Sequence, residues 1–166
     1  MDVIYRRRSI RRFTPAPVTE DTVVAIIKAG MNAPSAGNER PWHFVIIDDR
    51  SILDEVPKFH PYSAMLREAP VAILVCGDPT LEKYPGYWVQ DCSAAVENML
   101  LEIVDIGLGG VWLGIHPIEE RVRGMRRLLG IPETVIPFAL IALGHPGERK
   151  DPKNEFDGGR VRRNRW

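Results

Sequence analysis

Four apolar runs of strand length, "WHFVII" (42–47), "VAILVC" (71–76), "GVWLGI" (110–115) and "FALIAL" (138–143), alternate along the chain with segments of helical period. The runs are nearly continuous rather than alternating, the pattern of strands covered on both faces. Helices must supply those covers. After Thr19, a residue type that caps helices, "EDTVVAIIKAGM" sets Val23, Ile26, Ile27 and Met31 on one face. "WVQDCSAAVENMLLEIVDIG" (88–107) puts Cys92, Ala95, Val96, Met99, Ile103 and Ile106 on one stripe, and Gly107 stops it, which predicts a long central helix. Another helix is expected with Pro117 at its first position and a stop at Gly130. After Gly144 the pattern ends. "HPGERKDPKNEFDGGRVRRNRW" has little core-forming periodicity, so it must dangle or lie across something. The expected organisation is one domain over residues 1–144 and a C-terminal extension over 145–166.

A chain of 166 residues buries roughly 70% of its unfolded surface around a single core. With 45% hydrophobic and 27% charged residues it has a globular composition. Only Val3, Ile4 and Tyr5 precede Arg6 to Arg8, which is no signal-peptide core, and no stretch approaches about 20 apolar residues. A cytoplasmic location is expected. Cys76 and Cys92 lie in core-like patterns without a CxxC spacing and read as buried thiols. His43, His60, His116 and His145 show no HExxH or paired ligand spacing, so no metal site is expected. Trp88 and Trp112 read as core or interface aromatics, with stacking an open role for Trp112.

The charge is uneven although its formal sum is zero. "YRRRSIRRF" (5–13) and residues 160–165 hold nine of the 22 basic side chains, leaving the remainder net acidic. Three readings are open. Lys/Arg clusters can bind nucleic acid, but the pI of about 6.9 is far below the usual value for such domains. A solvated helix end with ion pairs covers Arg6 and Arg12. A small anion suits Arg7, Ser9 and Arg11, because Arg7 and Arg11 share a helix face, and in an extended chain all three alternate to one side. Guanidinium forks and a hydroxyl match one phosphate.

"NAPSAGNERPW" (32–42) carries ordinary loop chemistry, yet its small residues let backbone approach a flat ligand. No GK[ST] follows, so it is not a P-loop. In "GLGGVWLG" (107–114) the glycines precede the strand, the wrong order for a dinucleotide fingerprint.

"RRSIRRF", "APSAGNERPWHFVII", "DCSAAVENMLLEIVDIGLGGVWLG", "IALGHPGE" and the terminal "RVRRNRW" occur in one order over most of the chain, and together the sequence resembles the FMN-dependent nitroreductase family, as a short member. The resemblance implies an α+β fold, three layers α/β/α around a central mixed sheet. It also implies a homodimer with FMN in clefts between subunits, and a C-terminal segment extending onto the partner. Carried over, the first FMN motif falls on Arg7, Arg8, Ser9 and Arg11, for the phosphate, ribityl chain and pyrimidine edge. The loop motif falls on Pro34, Ser35, Ala36 and Asn38, expected to reach the same flavin from the other subunit. Backbone around Leu113 and Gly114 is expected to face the ring's reactive edge. Lys153 is expected at the phosphate, although the family's Lys-x-Arg reads Lys153, Asn154, Glu155 here, and a carboxylate beside a phosphate repels it.

The resemblance thus implies an oxidoreductase passing hydride from NADH or NADPH through FMN to a nitroaromatic, quinone or similar small acceptor, with no catalytic side chain and no metal. The alternatives are a family member with a dedicated substrate, such as a dehalogenase or enoyl-type reductase, and, from another class, a nucleic-acid-binding module using the arginine clusters. The first reading expects neither nucleic acid nor membrane as partner.

Overall fold

The computed structural model describes residues 2–166. In chain order it forms α1 (Val3–Arg6), α2 (Glu20–Met31), β1 (Trp42–Ile47), α3 (Arg50–Glu55), β2 (Val71–Gly77), α4 (Trp88–Asp105), β3 (Gly109–Gly114), α5 (Glu119–Leu129) and β4 (Ile136–Gly144). The strands make one sheet in the order β1-β2-β4-β3, antiparallel at each pairing. The parallel component of the expected mixed sheet is an isolated bridge from Ser9 to Gly110 at the β3 edge.

β2 is buried at every position because helices cover both faces, which explains its unbroken apolar sequence. Val71, Ile73 and Val75 face the core under α2 and α4, while Ala72, Leu74 and Cys76 face a second core with Leu53 of α3 and Met125 of α5. The expected three layers result.

Local chemistry sets the helix ends. Thr19 caps α2 by accepting from Thr22 N, and Gly130 ends α5 in the left-handed conformation. Cys92, Ala95, Val96, Met99 and Ile103 are buried along α4 as expected. Two expectations are corrected. Ile106 lies beyond the helix end and is 41% exposed, because the turn at Gly107 (φ 82°) redirects the chain before the stripe is completed. Pro117 is outside α5, whose N-cap is the extended residue Ile118.

Cys76 and Cys92 are buried free thiols, each pushed up to about 12 by burial. Trp88 is in the core, edge-on to His116 at 4.9 Å. Among the described residues no helix is long and apolar enough to cross a membrane.

Candidate functional site

The arginine segment is held as an extended edge. Ile10 N donates to Gly110 O at 3.0 Å, and the Ile10 side chain is buried against Gly109, where a Cβ would come within 2.8 Å of it. Alternation then turns Ser9 and Arg11 away from the core. Beyond β4 the chain returns along the same edge: Gly147 N donates to Arg12 O at 2.7 Å, and Lys153 N to Tyr5 O at 3.0 Å.

Between these two segments lies a cleft of about 370 Å³ lined by Ile4, Arg7, Arg8, Ser9, Arg11, Lys150 and Lys153. Five of its lining side chains are basic and none is acidic. The carboxylates stand around it. Glu97 pairs with Arg7 Nε at 3.2 Å and Glu155 with Lys153 Nζ at 2.9 Å. Glu148 Oε1 accepts from Arg11 N at 2.6 Å and lies 3.3 Å from Lys150 Nζ, which hold its carboxyl below the usual range. Lys150 Nζ donates to Ser9 O at 2.6 Å, and Arg8 Nη1 to Asp151 O. The Arg11 guanidinium has no carboxylate partner among the described residues. Arg6 and Arg12 are ion-paired away from the cleft, with Asp2 and Asp105, and with Glu68.

Arg11 also lines a second cleft, of about 440 Å³, with His60, Pro61, Tyr62, Ala64, Met65, Trp112, Leu113, Gly114 and Arg121. Its floor is the free edge of β3. Ile115 N donates to Phe138 O, so odd positions of this strand pair with β4 and even positions turn their backbone outward. The outward Gly114 carbonyl accepts from Arg121 Nη1 at 2.8 Å and from His60 Nε2 at 3.0 Å. Burial and the Arg121 charge press the His60 pKa below its ordinary value. A Cβ on Gly114 would meet nothing within 4 Å, so this strand end is open to a ligand. Trp112, edge-on to Phe138 at 5.9 Å, borders the cleft, so it has both a packing contact and a cleft face.

The structure therefore gathers Arg7, Arg8, Ser9, Arg11 and Lys153 in one cleft, and Leu113 and Gly114 in the adjoining one. It does not bring Pro34, Ser35, Ala36 and Asn38 to either. That loop sits at the start of α4, where Ala36 N donates to Asp91 Oδ1 at 3.0 Å and Ser35 Oγ accepts from Arg40 N at 3.0 Å. Sequence reading missed His60, Tyr62 and Arg121 as cleft residues, because they carry no local signal.

The two joined clefts fit a flavin mononucleotide by their chemistry. The first supplies cations for a phosphate dianion, and the second supplies aromatic walls and a backbone edge for a flat ring.

Comparison with known proteins agrees with that fit. The nitroreductase family model matches residues 4–60 and 57–145. A Methanothermobacter thermautotrophicus protein, provisionally named NADH dehydrogenase/NAD(P)H nitroreductase, is 49% identical over all of this chain and 87% of its own length. A Clostridium acetobutylicum crystal structure, provisionally named an NADH oxidase, superposes with a TM-score of 0.95 at 37% identity, covering 99% of this chain and 100% of that one. A Desulfovibrio desulfuricans crystal structure, provisionally named a nitroreductase and solved in complex with FMN, gives 0.85 at 32% identity, covering 99% and 96%. The chain belongs to the nitroreductase family.

Proposed function

We propose that this chain is an FMN-dependent NAD(P)H oxidoreductase whose flavin lies along the two joined clefts and whose acceptor is a nitroaromatic, a quinone or a similar small molecule. The observation that carries this reading is Arg11, which lines both the basic cleft and the cleft at the β3 edge. FMN, when bound, would supply the redox chemistry, hydride transfer between NADH or NADPH and the acceptor.

The chain's residues bind and orient. Arg7, Arg8, Lys150, Lys153 and the Ser9 hydroxyl suit the phosphate. Arg11, with no carboxylate partner among the described residues, offsets negative charge where the two clefts meet. The outward amide of Gly114 offers a donor at the strand edge, and the hydrogen bonds from His60 and Arg121 fix that residue's orientation. His60 Nε2 carries a proton, because it donates to a carbonyl, and burial with the Arg121 charge favours the neutral ring. Aromatic walls from Tyr62 and Trp112 border a flat acceptor's space.

The site is completed, on this proposal, by a second copy of the chain, which contributes Pro34, Ser35, Ala36 and Asn38. Two observations support a dimer. The loop reaches neither cleft of its own chain, and the 145–166 extension beyond the 1–144 domain exposes Phe156 (84%) and Trp166 (100%). Such side chains favour an apolar surface to lie on.

The test begins with colour. Purified protein should absorb in the flavin bands and release FMN on denaturation. It should oxidise NADH or NADPH only when a nitroaromatic or quinone is present. Colourless protein that refuses added FMN overturns the proposal, and flavin-bound protein inert to both nucleotides overturns the donor.

A further inference from the structure

Two carboxyl side chains are buried against each other at the start of α4. Glu39 is 9% exposed and Asp91 5%. Each has one oxygen committed to backbone: Glu39 Oε2 accepts from Lys83 N at 2.6 Å and Tyr84 N at 3.1 Å, and Asp91 Oδ1 accepts from Ala36 N at 3.0 Å. Their other oxygens, Glu39 Oε1 and Asp91 Oδ2, are buried and meet no partner while both groups are ionised. Yet the two side chains lie within hydrogen-bonding reach of one another.

Ionised carboxylates only accept, so neither can satisfy the other, and two negative charges out of water repel. One proton resolves both problems: on Asp91 Oδ2, it lets the carboxyl donate to Glu39 Oε1. No cationic side chain takes that place. Among the described residues neither group has an ion pair, and no cluster of three or more His, Cys, Asp or Glu side chains could hold a metal.

We propose that Glu39 and Asp91 share one proton, and that this proton clamps the 34–40 loop to α4 in the conformation that holds flavin. The clamp's role in flavin binding rests on the reading of that loop given above. The shared proton does not.

The surroundings keep the proton in place. Burial pushes the Asp91 carboxyl upward, and Glu39 and Glu82 add like charge. Glu82 is fixed nearby because its Oε1 accepts from Gly86 N at 2.9 Å and Trp88 N at 2.8 Å. The Ala36 amide and the positive end of α4 act in the opposite direction. Lys83 Nζ turns to Gly37 O at 3.2 Å, Arg40 Nε turns to Asn38 Oδ1 at 2.9 Å, and Cys92 is a thiol raised to about 12. Glu39 and Asp91 are thus positioning residues that act through the loop.

The sign follows from linkage. An acid raised in the native state contributes stability that is complete below 3.8, the ordinary aspartate value, and is lost as pH climbs through the raised native value. Asp91→Asn replaces the proton with an amide N–H that donates to Glu39 Oε1 at every pH and keeps Oδ1 for Ala36. Glu39→Gln does the same from the other side and serves if the first variant fails to fold.

Melting temperatures of flavin-stripped protein, taken from about pH 4 to pH 8, are the first readout. Wild type should lose stability relative to either amide variant as pH rises, and the gap should then level off. FMN affinity by fluorescence is the second readout: relative to the amide variants, wild type should weaken by up to about tenfold per pH unit across the same window, the titration of the flavin phosphate being common to all. Parallel melting profiles overturn the shared proton. Diverging melts with parallel FMN affinities overturn the clamp. A chain that binds no FMN at any pH defeats the flavin reading and the clamp's role in it, while the melts still decide the proton.

Discussion

His60 Nε2 lies 3.0 Å from the carbonyl oxygen of Gly114, across 54 positions of sequence, and the other ring nitrogen, Nδ1, is buried without a partner. A neutral imidazole therefore braces the strand end that forms the floor of the second cleft. Arg121 Nη1, donating to the same oxygen at 2.8 Å, places a positive charge beside it. Protonation would set two cations against one carbonyl at a buried side chain.

This predicts an acid limit to stability. Burial first, and Arg121 second, lower the His60 pKa from 6.5, so its contribution is fully present above 6.5 and is lost as pH falls from there to the depressed native value. His60→Gln keeps a donor toward Gly114 and removes the titration. The expected result is a wild-type melting temperature that falls more steeply than the variant's below pH 6.5 and runs parallel above it. His116, also lowered by burial, is common to both proteins and cancels in the difference. Profiles that stay parallel throughout would remove His60 from the acid response.

Arg11 gives a binding prediction with little structural cost. Its guanidinium has no carboxylate partner among the described residues, so Arg11→Ala should leave the melting temperature of flavin-free protein nearly unchanged. A charge-assisted bond worth about 2 kcal/mol would be lost from the flavin complex, weakening FMN about thirtyfold. Arg7→Ala should weaken FMN similarly, but it also frees Glu97 from its 3.2 Å pair. Fluorescence titration decides, and unchanged affinity in both variants defeats the phosphate assignment.

These contrasts show how far the sequence could be read. α2 begins at its Thr19 cap and ends where the pattern ended, because cap and stripe are local. The four strands were legible for the same reason, their apolarity being the direct imprint of two covering layers. Arg7, Ser9 and Arg11 share a cleft because alternation along one short extended segment places them there. The Gly114 brace was not legible. His60 and Arg121 reach it from separate elements, and only the tertiary fold joins them. The Glu39 and Asp91 pair was hidden in the same way: each carboxylate reads as a surface residue until α4 packs over the loop.

Glu155 stands where the family resemblance expects a base, and the structure shows what it does instead. It pairs with Lys153 at 2.9 Å, and the hydrogen bond and charge of that lysine hold its carboxyl below the usual range, with Arg8 adding a smaller pull. It is therefore an ionised competitor for a cleft cation. Glu155→Gln should free Lys153 and tighten FMN binding, by up to about fivefold, as befits an exposed pair. The gain should shrink at high ionic strength. A titration identical to wild type at low salt would show that Lys153 takes no part in holding the phosphate.

The strongest test of the dimeric site exploits the separation between the arginine cleft and the 34–38 loop. One variant carries Arg7→Glu with Arg11→Glu. The other carries Ser35→Trp, at an extended position (φ −142°, ψ 155°) whose backbone accepts bulk. If each flavin lies between the cleft of one subunit and the loop of the other, either homodimer is empty, because each site has one ruined half. Unfolding and refolding the two together produces mixed dimers in which one site has both halves ruined and the other has both intact. Random pairing makes half of all dimers mixed, so about a quarter of all sites should regain FMN, as two-fold symmetry requires. A site built within one chain gives no rescue, because every chain then carries a defect in its own site. Tagging one variant and recovering the other with it verifies that subunits have exchanged. Mixed dimers that form and stay colourless would overturn the shared site, and a Ser35→Trp homodimer that keeps its FMN would return the 34–38 loop to a connecting role.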